Sequence, residues 1–231
     1  MSIKGQKLFI IGGSSGIGKA TALEAIGQGA HVIIAGRTED RLAHAQTEIG
    51  GRVGYVVLDV RETREMDYCF EQSGGFDHLV VTAAEDYKAD FIETDVDNAR
   101  TAFETKFWGQ FLAVQRSIPF LKNGGSITLF SGSAGHRFEP GKSVLAAADG
   151  AVEYLVRSLA VELRPTRINA VAPGDFLPDD ADDAEKKTLA DTLPVHRAGR
   201  AADIAHAVLF LIENQYTTGT VLFVDGGRVL V

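Results

Sequence analysis

The run Gly12-Gly13-Ser14-Ser15-Gly16-Ile17-Gly18 is the densest cluster of chemically suggestive residues in this 231-residue chain. It follows a short apolar stretch, Leu8 to Ile11, and leads into a helical pattern. Glycines at such a place let the backbone turn tightly and approach a pyrophosphate. The anion then rests on the unpaired amides and the positive dipole end of the helix. The second apolar stretch ends in Ala35-Gly36-Arg37-Thr38. An acid there would receive the ribose hydroxyls of NAD, whereas a cation receives the 2′-phosphate of NADP. Arg37, with Thr38 beside it, favours NADP(H).

The same glycines admit a rival reading. Gly13, four residues, then Gly18-Lys19 nearly matches the phosphate loop of nucleotide triphosphatases, and Tyr55 to Asp59 resembles their acidic strand. Ala20 stands where a Ser or Thr hydroxyl would have to reach magnesium, which counts against it.

The elements that must position these residues are read from apolar periodicity. Short apolar runs at Lys7 to Ile11, His31 to Ala35, Val53 to Leu58, His78 to Val81, Ser126 to Phe130, Ile168 to Val171 and Val221 to Val224 alternate with helical patterns. The helices are expected near Ile17 to Gln28, Arg41 to Ile49, Thr63 to Gln72, Asn98 to Ile118, Leu145 to Leu163 and Ala202 to Ile212. Alternation of this kind is the mark of βαβ units and a parallel sheet covered on both faces. One α/β domain spanning residues 1–231 is expected. Residues 175–200 are expected as a mobile loop, and the stretch Asp175 to Asp191 carries seven acids against Lys186 and Lys187. In an open α/β sheet, loops after the strands flank the ligand.

With these pieces in place, the chain resembles the short-chain dehydrogenase/reductase family over essentially its whole length. The resemblance is carried by GGSSGIG, by AGR after the second strand, by Leu58 to Val60, by HLVV at 78–81, by GSITLFSGSAG at 125–135, by INAVAPG at 168–174 and by TGTVLFVDGG at 218–227. It implies a three-layer Rossmann fold, a doubly wound seven-stranded parallel sheet in the order 3-2-1-4-5-6-7. It implies pyrophosphate on Gly12, Ser14, Ser15, Gly16, Ile17 and Gly18, the 2′-phosphate on Arg37 and Thr38, and adenine beside Asp59 and Val60. Thr82, Ala83 and Ala84, with Pro173 and Gly174, would line the nicotinamide side.

The family's catalytic Tyr and Lys, the Ser thirteen residues before the Tyr, and the Asn on the preceding long helix map onto Leu145, Asp149, Gly132 and Lys106. All four are replaced, so the catalytic residues are unknown from sequence. Its Asn-Asn-Ala-Gly stretch becomes Thr82-Ala83-Ala84-Glu85, and the Thr following Pro-Gly is matched by Pro178. Lys106 and Asp149 are expected to form an ion pair. Two unit charges about 4 Å apart attract by roughly 1–4 kcal/mol before desolvation. Ser131, Ser133, His136, Lys142 and Lys106 are candidate substitute donors. Two functions follow: an NADP(H)-dependent oxidoreductase of a carbonyl or alcohol with a non-standard active site, or a non-catalytic NADP(H)-binding relative that senses the cofactor or joins an oligomer.

Charge narrows the partners further. Lys plus Arg number 23 against 31 Asp plus Glu, a formal −8, which speaks against nucleic acid as a partner. No apolar run approaches the roughly 20 residues of a membrane span, and Leu8 to Ile11 is too short for a signal peptide. The lone cysteine, Cys69, fits a reducing compartment, and a cytoplasmic location without a metal site is expected. Phe103, Phe107, Phe111, Val114 and Ile118 form a stripe with Trp108 beside it, which suits either core or an interface. The resemblance implies a homodimer or homotetramer through helices 98–118 and 145–163. With acids concentrated near the pocket, an anionic substrate would be poorly received unless Lys106 and Lys142 point inward.

Overall fold

A computed structural model of the chain describes residues 2–84, 87–178 and 180–231. The chain runs β1 (Lys7–Ile11), α1 (Gly16–Gly27), β2 (His31–Gly36), α2 (Glu39–Ile49), β3 (Val53–Val57), α3 (Thr63–Gln72) and β4 (Phe76–Val81). After these come α4 (Val96–Phe103), α5 (Gly109–Ser117), β5 (Leu121–Phe130), α6 (Ser143–Glu162) and β6 (Arg167–Pro173). The last elements are β7 (Phe176–Leu177), α7 (Asp183–Ala190), β8 (Gly199–Arg200), α8 (Ala201–Glu213) and β9 (Val221–Val224).

Seven strands pair in the order β3-β2-β1-β4-β5-β6-β9, every pairing parallel. This is the expected doubly wound order; β7 and β8 form a separate two-stranded ladder, so the seventh sheet strand is the ninth in sequence. Strand periodicity divides the central β1 between two cores. Leu8 and Ile10 join Ala22, Ile34, Leu42 and Val208 on the face covered by α1, α2 and α8. Phe9 and Ile11 join Phe70, Phe76, Val114 and Val152 on the face covered by α3, α5 and α6. Phe9 meets the Phe70 ring edge-on at 4.9 Å, and both are fully buried, each contributing about 2–3 kcal/mol by burial alone.

Between β4 and β5 the sheet carries a polar link. His78 is buried, with Nδ1 at 2.8 Å from the Ser126 hydroxyl and Nε2 at 2.9 Å from Gln6 Oε1. The amide oxygen only accepts, so Nε2 carries the proton and Nδ1 accepts from Ser126. Burial holds the imidazole down to about 4, keeping it neutral.

The long helix expected over 98–118 is three consecutive segments. Between α4 and α5, Glu104–Trp108 forms a π turn. The buried line on this rod is Ala102, Thr105, Lys106, Gly109, Gln110, Ala113, Val114 and Ser117. Phe103, Phe107 and Phe111 are half-buried, while Trp108 and Ile118 are exposed, so most of the aromatic stripe lies beside the core and not in it. The rings nonetheless touch one another, Phe107 to Trp108 at 5.1 Å and Trp108 to Phe111 at 5.4 Å.

The segment expected as a loop over 175–200 contains α7. Asp182 accepts from the Glu185 amide at 2.7 Å and the Glu185 side chain accepts from the Asp182 amide at 3.2 Å, a reciprocal box that starts the helix. The ladder pairs Phe176 with Gly199 and Leu177 with Arg200. No helix among the described residues is long and apolar enough to cross a membrane.

Candidate functional site

The sheet order reverses between β1 and β4, and at the carboxyl ends of the strands there a cleft of about 650 Å³ opens. Its middle is the glycine loop. Gly12 has φ +88°, and a Cβ there would lie 2.3 Å from Thr82 Oγ1. The Thr82 hydroxyl in turn reaches the carbonyls of Ile11 at 3.1 Å and Gly12 at 3.2 Å, locking the loop to β4. A Cβ on Gly18 would lie 2.3 Å from the Gly12 carbonyl oxygen, so this glycine lets α1 approach the turn. Ser15 begins α1 in extended conformation without capping it, and no acid occupies the first turn. The first amides therefore keep their donor capacity beside the cleft, where Ser14, Ser15, Gly16 and Ile17 line the wall.

One end of the cleft is cationic. Arg37 and Thr38 follow β2, and Arg41 stands one helical turn beyond Arg37; all three line the wall and are exposed. Asp59 and Val60 close this end. The Arg61 guanidinium, hydrogen-bonded to Asp59, holds that carboxyl below the usual carboxylate range.

At the other end lie Thr82, Ala83, Ala84, Thr105, Lys106, Phe130, Ser131, Leu145, Asp149, Pro173 and Phe176. The Lys106 ammonium lies 3.1 Å from Asp149 Oδ1 and donates to the Ser131 carbonyl at 2.9 Å, with both charged side chains almost wholly buried. The ion pair expected from sequence is present. The approach to Oδ1 is ionic and off the hydrogen-bond axis, leaving Oδ1 without an aligned donor. Burial pushes the Asp149 carboxyl up, while Lys106 opposes that shift. Leu145 gives this end an apolar wall, and Gly132 backs directly onto Asp149.

Lys106 is set by the π turn and by Gln110. The fully buried Gln110 amide donates to the Lys106 carbonyl at 2.7 Å and the Phe130 carbonyl at 2.8 Å, and its oxygen accepts from the Phe130 amide at 2.8 Å. A π turn frees backbone groups that a regular helix would pair, and this side chain takes up one of them.

The sequence profile described as Enoyl-(Acyl carrier protein) reductase matches residues 12–228. The chain belongs to the short-chain dehydrogenase/reductase family. It is 30% identical over 230 residues to a human 3-oxoacyl-(acyl-carrier-protein) reductase, covering 96% of this chain and 97% of that protein. It is 32% identical over 246 residues to a glucose 1-dehydrogenase of Gluconobacter oxydans, covering 98% and 92%. Among solved structures, a short chain dehydrogenase/reductase family protein superposes with a TM-score of 0.88 at 30% identity, covering 100% of both chains. A small-chain dehydrogenase does so with 0.81 at 36%, covering 99% of this chain and 100% of that one.

Of the short-chain dehydrogenase/reductase positions read from sequence, Gly12, Ser14 to Ile17, Arg37, Thr38, Asp59, Val60, Thr82 to Ala84 and Pro173 line the one cleft. Gly18 and Gly174 adjoin the wall, where a Cβ would sit 2.3 Å from the Gly12 carbonyl oxygen and 2.7 Å from the Asp225 backbone respectively. Glu85 lies outside the described residues. The phosphate-loop reading loses its lysine, since Lys19 pairs with Glu48 on α2. Lys142 pairs with Glu139 at 2.8 Å, Ser133 opens a short turn, and His136 lies 2.8 Å from the buried Glu153. Arg41, Gln110 and Phe176 were not read from sequence. Arg41 was within reach, four residues after Arg37 where a helix begins. Gln110, a polar residue on a buried helical line, carried a fainter signal.

Proposed function

We propose that this protein is an NADP(H)-dependent oxidoreductase that interconverts a carbonyl and an alcohol without the family's Tyr and Lys. The observation that carries the reading is a single cleft with Arg37 and Arg41 at one end, an uncapped helix start in the middle and a buried Lys106–Asp149 pair at the other. The residues fit the dinucleotide. Glycines at 12 and 18 let the loop pack tightly against Thr82 and the start of α1, the α1 amides suit a pyrophosphate, and two guanidiniums suit a 2′-phosphate. Bound there in reduced form, the nicotinamide supplies a hydride. The chain contributes orientation, an apolar wall from Leu145 and a buried cation in Lys106.

Leu145 also favours a second reading. With no hydroxyl at that wall and Lys106 already paired to Asp149, the protein would bind NADP(H) as a sensor or oligomer partner without turnover. Titrating NADPH and NADH by fluorescence, then following NADPH oxidation with a panel of aldehydes and ketones, separates the two. Turnover supports the first, tight binding without turnover supports the second, and no binding of either cofactor removes both.

We further propose a homodimer or homotetramer built on α4, α5 and α6. Trp108, Tyr154 and Val161 are exposed on these helices, and Trp108 belongs to the touching ring cluster. Light scattering that returns the 24.8 kDa monomer mass would remove this part.

A further inference from the structure

We propose that Lys106 donates the proton in carbonyl reduction, and that Asp149, Glu153 and His136 form the chain through which it is reprotonated from solvent. The proposal rests on the oxidoreductase reading above and names the group that would stand in for the missing phenol.

Lys106 is the ammonium on the wall of the cleft's far end, and it has three N–H groups. One reaches the Ser131 carbonyl and one faces Asp149, so the third is uncommitted among the described residues. The Ser131 hydroxyl beside it is buried and unpartnered. A carbonyl oxygen arriving between Leu145 and Lys106 would find the ammonium its nearest acid.

Behind Asp149 lies a second carboxylate that the cleft itself does not use. Glu153 follows Asp149 by one turn of α6 on the same buried face, and the two interact electrostatically. Gly135 separates them from the next turn of chain: a Cβ there would lie 3.2 Å from Asp149 Cβ and 3.8 Å from Glu153 Oε1. Both Glu153 oxygens lie within 2.9 Å of His136 Nε2, and the His136 side chain is 38% exposed with its ring edge-on to Phe223 at 4.7 Å. Lys106 is in direct contact with Asp149, and Glu153 with His136; between the two carboxyls, one turn of α6 apart, a water would carry the proton. Burying two carboxylates beside one lysine is costly unless each has a partner, and His136 is the partner of Glu153 as Lys106 is of Asp149.

The step balances. A bound reduced nicotinamide would lose a C–H bond and be oxidised as its hydride bonds to the carbonyl carbon, which is reduced, the C=O π pair becoming a lone pair on oxygen. One Lys106 N–H bond breaks and its proton joins that oxygen, giving alcohol and a neutral amine. The amine regains a proton by way of the Asp149 and Glu153 carboxyl groups, and His136 takes the replacement from water.

The test measures NADPH binding, turnover and its solvent isotope effect together. Lys106→Met is expected to lose about 10²- to 10⁴-fold in turnover beyond whatever it loses in NADPH affinity. Lys106→Arg, which keeps the charge but holds its proton too tightly to donate, is expected to lose comparably. His136→Phe is expected to slow turnover and to change its solvent isotope effect. Unchanged turnover in Lys106→Met, or unchanged turnover and isotope effect in His136→Phe, overturns the proposal. NADPH bound without turnover of any carbonyl overturns it while leaving the cofactor reading standing; failure to bind NADPH overturns both.

Discussion

A Cβ placed on Gly132 would lie 2.8 Å from Oδ2 of Asp149. The backbone there has φ −173°, which any residue can adopt, so space alone keeps position 132 a glycine. Asp149 fills the volume that a side chain at 132 would need. Gly132→Ala is therefore expected to destabilise the parent, and to cost less once Asp149→Ala has emptied the site. Denaturant melts of the four proteins in the cycle should give a coupling of about 0.5–3 kcal/mol. Strict additivity would show that the two positions are independent.

Cofactor preference follows from the cationic end. On the proposed NADP(H) reading, replacing Arg37 by Ala would remove a charge-assisted contact to the 2′-phosphate, worth about 1.5–3 kcal/mol. The NADPH dissociation constant is expected to rise about 10- to 100-fold while that of NADH changes little, and Arg41→Ala should act in the same direction. Equal losses for both cofactors would place these guanidiniums elsewhere.

The stability of the sheet should fall in mild acid. His78 is neutral when folded, with its pKa near 4 against about 6.5 in the unfolded chain. A base depressed on folding gives its full contribution above about pH 6.5 and loses it as pH falls toward 4. The loss is about 3 kcal/mol over that window, readable by urea melts at stepped pH. His78→Leu should start less stable and show a flatter slope.

Gln110→Leu is expected to unpair the Lys106 carbonyl and both backbone groups of Phe130 inside the core. At about 1–3 kcal/mol for each of the three orphaned groups and about 2–4 °C per kcal/mol for a chain of this size, thermal melts should drop by at least about 6 °C. A variant melting with the parent would mean that water replaces the amide.

Much of this was legible in the chain because parallel strands buried on both faces write themselves as uninterrupted apolar runs. Lys7–Ile11 and Val221–Val224 fall at their expected bounds. Charge complementarity at a family position exposed the Lys106–Asp149 pair before any coordinates. What escaped was local or long-range in a different sense. The π turn breaks the 3.6-residue period that would have separated buried Gln110 from the half-buried Phe107. The box Asp182-Asp183-Ala184-Glu185 was present as a helix start but was masked by the acidity of its surroundings. At Gly18 and Gly174 the glycine itself does not say which neighbour it admits, because a close approach to backbone and a close approach to a phosphate demand the same residue.

Phe176 and Leu177 stand on one side of the small ladder, Gly199 and Arg200 on the other, so the excursion between them leaves and returns through the same two rungs. Its ends are pinned outside the seven-stranded sheet, while Phe176 reaches the cleft wall. The second half of the excursion is tied down, Leu193 being buried and the Val195 amide donating to the Gly226 carbonyl at 3.3 Å, whereas α7 buries no residue. Closure entropy grows only as the logarithm of length, so changes of length are tolerated most cheaply at α7, away from the glycine loop and the two arginines.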